Sequence, residues 1–125
     1  MNGIQARVRE WVVTRLGLAA MDPHERVMRL LEETVELAQT LNVTRDEALR
    51  VVNHVHDKAL GSVEKELGAV AFTLLATAEG CHLSLGACLE MELVRIESMS
   101  PDIFRQHQAD NVECGIGAPV KLETV

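Results

Sequence analysis

Tyrosine is missing from this chain, and the aromatic residues are confined to Trp11, Phe72 and Phe104. A core built here has to come from Leu, Val, Ala and Met, a composition that suits packed helices. Cysteine is scarce and odd in number, at Cys81, Cys88 and Cys114, with no C-x-x-C pair. That excludes a disulfide framework and points to a reducing compartment, the cytoplasm. Within a helix, Cys88 reads as a small side chain that packs. No G-x-x-x-x-G-K-[ST] segment is present, so a P-loop nucleotidase is excluded. No apolar run reaches the roughly 20 residues of a membrane helix. The stretch from Met1 to Glu10 is polar and mixed, unlike a secretory leader. Basic residues are outnumbered, 12 against 19 acidic, for a net charge of −7. That balance argues against a nucleic-acid polymer as partner, and no membrane partner is expected.

What the chain does have is helical periodicity. Its 125 residues suit one domain. Ile4, Val8, Trp11, Val12 and Leu16 are spaced for a first helix, with Gly17 at its end. Asp22-Pro23 is an N-cap followed by a first helical residue, opening a long second helix that Asn42 ends. Thr44-Arg45-Asp46-Glu47 is a capping box for a third helix to about His56. After a short loop, Ser62 caps a fourth helix ending at Gly80, and Ser84 caps a fifth to about Ser98. Ser100-Pro101-Asp102 opens a short sixth, Asp102 to Ala109. The expected fold is all-α, a bundle of four to five helices over residues 1–110. An irregular tail follows over residues 111–125. No internal repeat is evident.

Carboxylates are unevenly placed on these helices. The second carries Glu32, Glu33 and Glu36 beside an apolar stripe of Val27, Leu30, Leu31, Leu37, Ala38 and Leu41. Residues three and four apart are neighbours on a helix, so Glu33 and Glu36 stand together, as do Glu32 and Glu36. Their repulsion, a few tenths of a kcal/mol per pair, calls for water, basic neighbours or a cation to offset it. The plain alternative is a solvated acidic face. The fourth helix differs. From Leu67 to Ala78 it has no charge and is apolar on nearly every side, so it is expected to be buried. Glu66 stands at its entry. An unpaired buried carboxylate is costly, so Glu66 is expected at a rim or paired. A divalent ion shared with the second helix would pair it.

Glu32-Glu33-x-x-Glu36, followed by Glu66-Leu67-Gly68 and an apolar run, resembles the MazG-type all-α nucleotide pyrophosphohydrolases. The likeness extends over roughly residues 8–110, from Trp11 to the M-E-L-V-R-I segment, and is nearest to a small phage or bacterial branch. It implies Mg²⁺, or Mn²⁺, held by Glu33, Glu36 and Glu66. It also implies release of pyrophosphate from a (deoxy)nucleoside triphosphate. Glu32 is the first candidate to accept the proton of the attacking water. An acidic chain can bind such a substrate because the metal supplies positive charge locally. The family's second motif is ExxD, and its aspartate falls on Ala69, which cannot ligate. One ligand must then come from water, substrate or Glu92. The alternatives are a catalytically impaired nucleotide- or metal-binding regulatory protein of the same fold, or a structural helical oligomer.

Substrate contacts are sought among Lys58, Arg95 and Trp11. For the two cations the alternative is ordinary surface charge, and for Trp11 it is an anchor in the core. His54 and His56, two apart on a helix, cannot jointly hold one ion, and His82 and His107 lie near helix ends. The apolar helices leave surface to cover, and the resemblance agrees, so a homodimer or homotetramer is expected.

Overall fold

The computed structural model describes residues 2–116. The fold is all-α, with no strand among the described residues. In order come α1 (Asn2–Leu16), a 3-10 turn (Leu18–Met21), α2 (Pro23–Thr40), α3 (Arg45–His56), α4 (Val63–Gly80), α5 (Leu85–Glu97) and α6 (Pro101–Glu113). The chain forms two units. The first holds α1, the 3-10 turn, α2 and α6; the second holds α3, α4 and α5.

The capping residues read from the sequence hold the helix starts. Asp22 accepts from the amide of Glu25 at 3.2 Å. Ser62 accepts from Lys65 N and Ser84 from Ala87 N, each at 3.2 Å. Each bond satisfies one amide that the first helical turn leaves without a partner. α3 begins at Arg45, directly after Thr44.

The exits of α2, α4 and α6 share one geometry. Asn42 and His82 both adopt positive φ, 67° and 57°. The next amide then reaches back five residues: Val43 N to Ala38 O and Leu83 N to Ala78 O, both 3.0 Å. Gly115, φ 78°, does the same after α6, with Ile116 N on Asn111 O at 2.8 Å. These are Schellman closures, and each lets a chain leave its helix sharply. The backbone therefore contains a repeat that the side chains hide. α2 and α4 are both 18 residues long, and Pro23 to Val63 is the same forty-residue step as Thr40 to Gly80.

In the first unit Gly17, φ 90°, turns the chain from α1 into the 3-10 segment, a conformation that side chains with a Cβ resist. Val12 and Ala20 are buried there, and Trp11 meets Phe104 of α6 edge to face at 4.8 Å. α6 extends past Ala109, where it was expected to stop, to Glu113. The boundary placed at residue 110 therefore falls inside a helix. The extra turn is polar and carries no apolar period. Within it, Asn111 donates to Glu32 of α2 at 2.7 Å. The rest of the expected tail, residues 117–125, lies outside the described residues.

Two expectations for the second unit fail. α4 was expected to be a buried helix, yet none of its residues is buried. Phe72 is 75% exposed, and even Leu74 is 38% exposed. A helix that is apolar all round needs neighbours on all sides. The second unit offers only α3 and α5, of 12 and 13 residues. Its one fully buried large side chain is Leu93, 1% exposed. Cys88, expected to pack, is exposed as well, and all three cysteines are free thiols.

Candidate functional site

Every third or fourth residue of α2 repeats on one face, and Glu25, Arg29 and Glu32 follow that spacing. Opposite them α6 brings His107, Gln108 and Asn111. Asn111, 8% exposed, donates from Nδ2 to Glu32 Oε2 at 2.7 Å. Arg29 donates to the same oxygen at 2.8 Å. His107 Nε2 lies 3.4 Å from the other carboxylate oxygen of Glu32. Two turns back, Gln108 Nε2 donates to Glu25 Oε2 at 3.3 Å. Glu32 is thus the hub of a polar clamp between α2 and α6. Its oxygens are occupied by a cation, an amide and an imidazole. The amide partners were not legible in the sequence. Only the packing of α6 against α2 brings residues some eighty positions apart into register.

Glu33 and Glu36 are exposed, and Glu36 lies one turn beyond Glu32 on the same stripe. Glu33 accepts from Arg29 Nη2 at 3.2 Å, so one arginine serves both Glu32 and Glu33. Arg26, half-buried on the same helix, has its pKa lowered by burial and then by the charge of Arg29. The arginines thus counter the crowding of carboxylates expected on α2.

Glu66 belongs to the first turn of α4, where a carboxylate is favoured by the helix dipole. Its side chain folds back over Gly61, and Oε1 stands where a Cβ on residue 61 would be. Lys65 Nζ lies 3.7 Å from that oxygen, and both side chains are more than half exposed. Glu66 is therefore exposed and loosely paired with Lys65, on a helix that is itself exposed. Glu33 and Glu36 lie in the first unit and Glu66 in the second.

Arg95 is engaged by Glu92 on α5: Nε donates to Oε2 at 2.9 Å and Nη2 to Oε1. This fork holds the Glu92 carboxyl below its ordinary range. Lys58 is exposed just beyond α3, its amide on Val55 O at 3.1 Å. Trp11 takes the anchoring position weighed for it, against Phe104, and its Nε1 is buried without a hydrogen-bond partner. His54, His56 and His82 are exposed. Among the described residues, no group of three or more His, Cys, Asp or Glu side chains is gathered closely enough to hold a metal ion. Likewise no single helix is long and apolar enough to cross a membrane.

Comparison with protein-family models, with curated proteins and with solved structures finds no match for this chain.

Proposed function

We propose that the chain is a metal-dependent pyrophosphohydrolase acting on a (deoxy)nucleoside triphosphate. One observation carries the reading: Glu32-Glu33-x-x-Glu36 on one 18-residue helix and Glu66 at the start of another whose next twelve residues bear no charge. The donor set fits Mg²⁺ or Mn²⁺, since Glu33, Glu36 and Glu66 are exposed carboxylates and hard cations take oxygen ligands. In this reading those three hold the ion. When bound, the ion supplies positive charge to the phosphates and orients water. Glu32 takes the water's proton on Oε1, the oxygen facing His107. Lys58 and Arg95 meet phosphate oxygens, while Trp11, packed on Phe104, keeps its anchoring role. The helices form a MazG-like bundle in the cytoplasm, completed by oligomerisation.

The test is pyrophosphate release from a panel of nucleotides with Mg²⁺ or Mn²⁺. Turnover abolished by Glu36→Gln supports the reading. Ala69, in the position of the family's aspartate, favours a second reading, an impaired binding protein. Nucleotide binding by calorimetry with no turnover of any nucleotide would select it. Ala69→Asp is expected to tighten metal binding; an unchanged titration counts against the site.

A further inference from the structure

The forty-residue repeat gives α2 and α4 corresponding faces in sequence. On α2 the face marked by Glu25 and Glu32 is covered by α6 through Gln108 and Asn111. Forty positions on, the same face of α4 carries Lys65 and Phe72. Nothing in the second unit covers it, for Phe72 is the most exposed large apolar side chain of that helix after Val63. At 100° per residue, Lys65, Gly68, Phe72, Leu75, Ala76 and Glu79 fall in one stripe. Phe72 is its midpoint, with Lys65 and Glu79 two turns away on either side.

We infer that this stripe is an isologous seam, closed by α4 of a second copy running antiparallel about a two-fold axis through Phe72. The axis stacks Phe72 on its own copy. It also brings Lys65 to the partner subunit's Glu79, and Glu79 to the partner subunit's Lys65. Such self-complementarity is what a two-fold contact requires. Gly68 and Ala76, small, let the two backbones approach around the ring. The hydroxyls on α4 pose no obstacle to drying. Thr73 already donates to Ala69 O at 2.7 Å, and Thr77 to Thr73 O at 2.8 Å. Within the stripe Phe72 is 75% and Leu75 57% exposed, so its apolar centre has nothing over it. α4 and α5, bent by 102°, also satisfy the length and composition of a broken membrane span. On α4 the acidic flanks Glu64, Glu66 and Glu79, with Lys65 the one cation of that helix, suit a second copy better than an anionic bilayer. The seam gives the oligomerisation of the reading above a location, and because mass is measured without nucleotide, its failure and that of the hydrolase are told apart.

Sedimentation equilibrium of the full chain, from micromolar to near-millimolar, tests it. A dimer is expected, with Phe72→Glu weakening it roughly 30-fold or more, the scale of an interface hot spot. Circular dichroism checks that helix content is kept. Where Phe72→Glu fails to fold, the charge exchange decides. Lys65→Glu and Glu79→Lys should each weaken association several-fold, and the double exchange should restore it. A monomer at every concentration overturns the seam. So does a dimer whose two charge variants add without restoration, or a monomer that sediments with phosphatidylcholine–phosphatidylglycerol vesicles.

Discussion

α2 and α4 share a length, a side-chain oxygen at the N-cap and a Schellman exit, yet their interiors have little in common. α2 interleaves apolar residues with Glu25, Arg26, Arg29, Glu32, Glu33 and Glu36. α4 is uncharged from Leu67 to Ala78. The ends fix where a helix starts and stops, because unpaired amides and carbonyls must be satisfied there whatever lies between. The interior is then free to specialise. On α2 it grips α6 with carboxylates and keeps two more acids outside. On α4 the matching face grips nothing within its unit.

The largest expected effect separates the two helices by chemistry. Glu33→Gln on α2 and Glu66→Gln on α4 should each lower pyrophosphate release by about 100-fold or more, as losing a charge-stabilising group does. If Glu66→Gln retains full release while Glu33→Gln does not, α4 has no part in the site. Next in size is the clamp. Asn111→Ala should cost about 1.5–3 kcal/mol, the worth of a hydrogen bond to a charged group, read as a lower urea midpoint. A loss near zero would mean that α6 is held by its other contacts, Trp11 on Phe104 and Gln108 on Glu25 among them. The caps should be equal. Asp22→Ala and Ser62→Ala are each expected to cost about 1 kcal/mol in the same assay. A clear inequality would break the likeness of the two starts. The exits offer a gain instead. His82→Gly should raise the melting temperature by a few degrees, because glycine adopts positive φ without strain. Asn42→Gly should gain less, asparagine being the better tolerated there.

The smallest effect concerns Glu92. Arg95 depresses its folded pKa below the ordinary 4.5, so the stabilisation is present above that pH and is lost as pH falls through the depressed value. Glu92→Gln should slightly flatten the acid side of a melting-temperature profile. Both side chains are about half exposed, and solvent screening keeps the effect near the limit of measurement. A loss of stability at neutral pH comparable to that of Asn111→Ala would show a buried role for the pair.

The helices and their starts were written in local chemistry. Asp22-Pro23, Ser62, Ser84 and Ser100 each sit where an amide needs an acceptor, and apolar residues recur at the helical period between them. Long-range pairing was not written there. The residues after Ala109, Asn111 among them, lack any apolar period, so the last turn of α6 looked like tail. Glu32 looked like one acid among three until α6 was laid against it. The exposure of α4 was equally illegible. An apolar sequence says that a helix wants covering, but only the packing of neighbours says whether its own unit supplies the cover. Hydrogen-bond satisfaction and periodicity act over a few residues, and the sequence alone determined them. Which faces meet depends on contacts dozens of residues apart, and the tertiary structure alone decided that.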